Sequence, residues 1–405
     1  MEATRQYTAL YEEVRDAITA RSPEEMNLCR EQALGVFSEQ GFPSKKAERY
    51  RYANAEADFA PNYGIQLAPP YETLPAYCFR IREAEPRVRA LYNKVADTGD
   101  SIVALNTMLS VDTLVVHVPE GRRVEHPIQV TNLLKGVQDA MVSRRILIVL
   151  DAMAEADIII TDRAASQNRF LTNQVVEVVL GDGARLSLYE VEETHLLCTR
   201  YSSVFVRQGT GSRLHHTSLT LFNGRTRNRL DVALQGEGSE VTLGGCVIAD
   251  KMQHVDNNTL VDHLAPRCQS KELYKYVLDD SAVGAFAGKI LVRGDAQKTV
   301  SQETNANLLA TRTARMYSQP MLEIYADDVQ CSHGSTVGQM DEAALFYMRQ
   351  RGIDEREARL LLKAAFITEV IENIPLQSLR DRLHMLVDKR LRGELSKCEG
   401  CKLCK

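Results

Sequence analysis

Three stretches of this chain decide its fold: Gly181-Asp182-Gly183-Ala184-Arg185-Leu186-Ser187-Leu188, Gly209-Thr210-Gly211-Ser212-Arg213-Leu214-His215-His216 and Gly236-Glu237-Gly238-Ser239-Glu240-Val241-Thr242-Leu243. Each opens with Gly-x-Gly and then runs small, polar, apolar. Glycine allows the positive φ of a tight corner. The polar–apolar alternation that follows marks a strand with one buried face. Ala156-Asp157-Ile158-Ile159-Ile160 reads the same way without the glycines. The small residues at 156, 184, 212 and 239 are 28, 28 and 27 apart. A repeat of that length without a helix fits one coil of a β-solenoid, whose stacked coils bury a continuous core. A β-sandwich with regularly spaced turns is the alternative.

The same texture extends in both directions. Short β-branched runs such as Thr113–Val118, Arg145–Val149, Val175–Leu180 and Ile290–Val292 recur from about residue 100 to 330. No convincing long helix interrupts them, which disfavours a βαβ sandwich. Upstream, Leu10, Val14, Ile18, Met26, Ala33, Leu34 and Phe37 recur at helical spacings. Ser22-Pro23-Glu24-Glu25 is a helix start and Gly41-Phe42-Pro43 a helix stop. Downstream, Ala358, Leu361, Leu362, Ala365, Phe366 and Val370 form an apolar stripe begun by Asp354 and closed by Pro375. The expected division is an N-terminal helical region over 1–95, a β-helix core over 96–340, and a C-terminal helical domain with a Cys-rich tail over 341–405. That last domain reads as a docking module, as a cap over the last coil, or as both.

Composition narrows the class. The chain has 405 residues, 44% hydrophobic and 25% charged, with 49 Lys+Arg against 54 Asp+Glu and a net charge of −5. That balance fits a large soluble core and no nucleic-acid partner. No apolar run of membrane-spanning length occurs, and the charged start MEATRQYTALYEEVRDAITA has no signal-peptide core, so a cytoplasmic location away from membranes is expected. The 9 cysteines are odd in number and few, which argues against a disulfide framework.

Catalytic motifs are absent. There is no Walker loop, no Gly-x-Gly-x-x-Gly after a strand, no His-Glu-x-x-His and no Gly-x-Ser-x-Gly. Two ligand-like features remain. In Asp327-Asp328-Val329-Gln330-Cys331-Ser332-His333-Gly334-Ser335, Cys331 and His333 lie two apart and share one face of a strand. Thiolate and imidazole suit Fe, Cu and Zn, but two ligands cannot complete a site, so a partner or substrate must supply the rest. A packed cysteine and a hydrogen-bonded histidine is the plainer alternative. The second feature is Cys398-Glu399-Gly400-Cys401-Lys402-Leu403-Cys404-Lys405, a Cys-x-x-Cys-x-x-Cys spacing suited to metal or cluster contact but lacking a fourth ligand. His215, His216, His254 and His263 read as surface or packing residues.

Phe286-Ala287-Gly288-Lys289-Ile290, Gln297-Lys298-Thr299 and the block from Pro320 to Gly338, which includes Leu322-Glu323-Ile324-Tyr325-Ala326-Asp327-Asp328 and Cys331-Ser332-His333-Gly334, resemble the SufB/SufD family of iron–sulfur cluster assembly proteins. Leu345 to Ile353, Ala358 to Phe366 and the N-terminal Gly41-Phe42-Pro43-Ser44-Lys45-Lys46-Ala47-Glu48-Arg49-Tyr50 carry the same resemblance. The family usually has Trp where this chain has Tyr50. The B-type branch has acidic residues around its Cys-x-His, so Cys331-Ser332-His333-Gly334 resembles the D-type.

The resemblance implies a right-handed parallel β-helix between helical regions. It implies a non-catalytic scaffold that pairs with a SufB-like subunit and binds a SufC-like ATPase through its C-terminal helices. Phe346, Tyr347, Arg351, Leu361 and Phe366 are the candidate SufC contacts. His333, with Cys331 close by, would meet a transient iron–sulfur cluster shared with SufB. The tail residues Cys398, Cys401 and Cys404 are further candidate metal ligands that the family pattern does not explain. A homodimer in the absence of SufB stays open. A flavin is associated with such assemblies, yet no nucleotide fingerprint here locates one. The competing readings are the SufB-type paralogue and a β-helix polysaccharide lyase.

Overall fold

Two parallel sheets face each other along the length of a solenoid, one of 10 strands and one of 8. The computed structural model describes residues 2–65 and 74–394. Successive strands alternate between the sheets, so each coil contributes one strand to each, and every neighbour in the long ladders is two strands away in sequence. The only antiparallel pair among the described strands is Cys78–Arg80 against Leu114–Val118. Leu186, Leu188, Val204, Val206, Leu214, Val241 and Leu243 belong to the continuous apolar core between the sheets.

The corners follow the glycines, but only in part. Gly183, Gly211 and Gly238 have φ of 66°, 61° and 67°. The same left-handed corner is occupied by Met153, Arg267 and Lys298 in other coils. Each of the six donates its backbone N–H to a carbonyl of the next coil, for example Gly211 to Glu237 at 2.9 Å and Arg267 to Gln297 at 2.8 Å. The repeat also starts differently from the sequence alignment. Glu155 pairs with Arg185, so Ala184 stands opposite Ala154 and not Ala156. The slip is two residues, which preserves the buried face.

Part of the solenoid interior is polar. Asp162 bonds Arg144 and also Arg200 at 2.8 Å, and Arg200 reaches Glu190 at 2.5 Å. Burial would raise the Glu190 carboxyl, but Arg200 and then His216 outweigh it and hold it down at about 2. Glu192 has no such excess of cations. It accepts from Thr226 Oγ1 at 2.7 Å, and burial pushes it up to about 7. A carboxyl raised in the folded state gives stability that is full below its free value and is lost as pH rises through the folded value. Glu192 is therefore expected to contribute a fall in melting temperature between about pH 5 and about pH 7, and Glu192→Gln to remove that contribution, leaving the variant with a less negative slope over that range. Thermal melts across that range check it; an unchanged slope in the variant would contradict it.

Helices cover the two outer faces. Glu2–Arg21, Glu24–Gln40 and Ser101–Leu109 pack against Met141, Leu171 and Tyr201 of the larger sheet. Ser101–Leu109 lies inside the stretch read as strands. It is buried on all sides, so it has no amphipathic period to betray it, and only its Asp100 N-cap is a local signal. Pro23 is the N-cap residue of Glu24–Gln40, while Ser22 donates to Val111 O at 2.7 Å. The buried Arg30 guanidinium donates to the carbonyls of Thr107, Met108 and Ser110, each at 2.8 Å, and so closes the C-terminus of Ser101–Leu109.

Glu355–Glu372 and Gln377–Leu391 lie along the smaller sheet, with Ile367, Val370, Ile371, Leu383 and Val387 against Tyr189, Leu219, Leu221, Cys246 and Leu273. They run along the flank and do not cover the last coil. The capping role is thereby corrected: the stripe around Val370 is spent on the sheet face. No described helix is long and apolar enough to cross a membrane.

Candidate functional site

The last coil is the open end of the molecule. Its strands, Arg315–Ile324 and Gln330–Gln339, are the terminal strands of the two sheets. Each pairs with one neighbour only. Almost every residue of Gln330–Gln339 is exposed, unlike the strands before it. Tyr325 and Val337 are 66% and 50% exposed. A bare strand edge of this kind is ready to pair with another chain.

Cys331 and His333 sit on this terminal strand. In register, Cys331 stands over Ser301 and His333 over Glu303. Ser301 and Glu303 are buried on the inward face, so Cys331 and His333 also lie on the inward face, where one further coil would cover them. Cys331 is half-buried against Val329, Ile290 and Val292. Burial pushes its thiol up, which keeps it protonated at neutral pH until a metal competes for the sulfur. His333 is exposed. Asp327 and Asp328 belong to the turn before the strand: Asp328 N–H donates to Gln297 Oε1 at 2.9 Å, and its carbonyl accepts from Lys298 at 2.6 Å. Asp328 thus serves the turn through its backbone.

A polar network ties the two terminal strands together. Ser318 Oγ is 2.6 Å from Ser335 Oγ and donates to Asn305 Oδ1 at 2.7 Å, while Asn307 donates to Thr336 O at 2.9 Å. Tyr317 stacks on Tyr52 at 4.9 Å, bringing the N-terminal segment to the rim.

The remaining candidates divide. Phe346 and Tyr347 are 62% and 59% exposed on Glu342–Gln350, and Arg351 donates to Tyr347 Oη at 3.0 Å. Leu361 is exposed, whereas Phe366 is half-buried under Lys275 Nζ at 4.6 Å, packed toward the solenoid. Cys398, Cys401 and Cys404 lie outside the described residues. Cys78, Cys198 and Cys246 are buried core residues, and burial lifts their thiols to about 12. His216 and His263 are buried packing residues, His216 Nε2 being 3.2 Å from Glu190 and His263 Nε2 3.0 Å from Ser270. Among the described residues, no group of three or more His, Cys, Asp and Glu converges to hold a metal. Cys331 and His333 are therefore a partial ligand set.

Sequence reasoning missed two residues beneath them. Glu272 pairs with Glu303, which pairs with His333, so the three form one inward ladder. Both glutamates are buried. Their strands are identifiable locally, but the stacking exists only once coils are in register.

The model of the SUF system FeS cluster assembly SufBD core domain matches residues 132–366, and that of the SufBD protein N-terminal region matches 1–80 and 78–130. An iron–sulfur cluster assembly SufBD family protein of Synechocystis is 31% identical over 304 residues, 73% of this chain and 67% of the relative. The iron–sulfur cluster assembly protein SufD of Escherichia coli is 28% identical over 73% of this chain and 71% of its own length. A SufBD family protein of Mycobacterium tuberculosis is 31% identical over 68% and 70%. With matched models across the core and the N-terminal region, the chain belongs to the SufBD family of iron–sulfur cluster assembly proteins.

Proposed function

We propose that this chain is a non-catalytic, cytoplasmic scaffold subunit of the SUF assembly machinery. It pairs with a SufB-like subunit through the open end of its solenoid and docks a SufC-like ATPase through Phe346, Tyr347, Arg351 and Leu361. One observation carries this reading: the last coil leaves both terminal strand edges bare and presents Cys331 and His333 on its uncovered inward face. A partner strand laid on either edge would extend the sheets by backbone hydrogen bonds. Its own ligands would complete the thiol and imidazole into a site for a transient cluster, which is the cargo of the machinery. Exposed aromatic residues beside an arginine suit a docking hot spot.

The test is co-expression with the SufB-like and SufC-like proteins of the same cell, with purification on one tag. The three chains are expected to co-purify. His333→Ala should keep the complex and lose most of its cluster yield, read from visible absorbance and bound iron. A chain that emerges alone, or a variant with normal cluster yield, would overturn the reading.

A further inference from the structure

The ladder Glu272–Glu303–His333 puts two carboxylates inside the solenoid on adjacent strands, whose backbones lie about 4.8 Å apart. Both side chains are 1% exposed. Three of their four oxygens, Glu272 Oε1 and both of Glu303, have no hydrogen-bond partner. The fourth, Glu272 Oε2, accepts from Thr259 Oγ1 at 2.9 Å. Neither carboxylate has an ion-pair partner, in contrast to Glu190 and Asp162 deeper in the same interior. The surroundings are apolar: Leu243 lies beneath Glu272 in the ladder, and the rings of Tyr274 and Phe286 meet at 4.8 Å. Gly288 cradles the Glu303 carboxylate, since a Cβ there would overlap Oε1.

Unpaired buried carboxylates are costly, and two stacked ones repel. Burial, and for Glu303 the charge of Glu272, raises both. Either protons or a cation must neutralise them. The donor set is oxygen only, which suits hard divalent ions. The route in is short. One strand, Gln330–Gln339, covers Glu303 toward the open end, and its residue directly over Glu303, His333, is exposed.

We propose that Glu272 and Glu303 hold a hard divalent metal ion of the manganese(II) and magnesium(II) class inside the last coils, directly beneath His333. Binding displaces the protons that the pair otherwise carries. It leaves the remaining coordination positions to water and to a ligand entering from the open end. The site belongs to this chain alone and does not depend on partner pairing.

The purified, metal-free full chain should bind one equivalent of Mn2+, followed by the loss of the free-ion EPR signal, and melt at a higher temperature with it. Glu303→Gln and Glu272→Gln should each weaken binding at least tenfold while melting no lower than the wild-type chain without metal. His333→Ala should retain most Mn2+ binding, so that failure of cluster assembly and failure of this site are told apart. Absence of Mn2+ binding by the wild-type chain would overturn the proposal, even where a variant does not fold. Undiminished binding in both Gln variants would do the same.

Discussion

Glu177→Ala is expected to destabilise the protein by about 3–5 kcal/mol, the usual cost of stripping one partner from a buried ion pair. Glu177 and Arg145 are both 0% exposed and 2.7 Å apart. The carboxylate also accepts the backbone N–H groups of Asn93, Val95 and Ala96 at 2.8, 2.9 and 3.1 Å. Arg145 lies over the Tyr92 ring at 4.9 Å and donates to Asn93 Oδ1 at 2.8 Å. One carboxylate therefore fastens the 92–96 segment to the larger sheet. Alanine would leave a guanidinium and three amides buried without it, and each orphaned donor is costly. Denaturant unfolding measures the loss. The double variant Arg145→Met/Glu177→Leu should recover part of it, because the stranded charge is gone. A loss below about 1 kcal/mol for Glu177→Ala would show that the segment has another anchor.

Val337→Lys is expected to leave the isolated chain folded and to abolish the proposed pairing with a SufB-like subunit. Val337 is half-exposed on the inward face of the terminal strand, over Asn307, so lysine there costs the free chain little. In a pairing that stacks another coil on this face, the same lysine would be buried without a partner. Inward-pointing charges are how natural sheets keep bare edges from pairing. Size analysis of the co-expressed complex reads the outcome, with circular dichroism confirming the fold. Full co-purification of the variant would move the interface elsewhere.

These two effects arise at opposite depths of legibility. The last-coil motif was readable: Cys331 and His333 are two apart, so their shared face follows from strand geometry alone. The exposure of His333 was not, because it depends on no further coil being stacked on that strand. The candidate docking residues show the same limit. Phe346 and Phe366 look alike as aromatic positions on helices, yet one projects outward and the other packs toward the solenoid. The Cys-rich tail, at Cys398, Cys401 and Cys404, lies outside the described residues.

By itself the sequence determined the strand texture, the corner glycines at 183, 211 and 238, the flanking helices and the family motif. All are local signals, written in alternation, spacing or residue type. Tertiary structure alone decided the two-residue slip at Ala156, the non-glycine corners at Met153, Arg267 and Lys298, and the flank position of the C-terminal helices. It also decided that Glu272, Glu303 and His333 stack. The reason is common to all of these. Period-two alternation specifies which face a residue takes but not which residue of the next coil it meets, and that register is set only when coils about thirty residues apart pack and exchange hydrogen bonds.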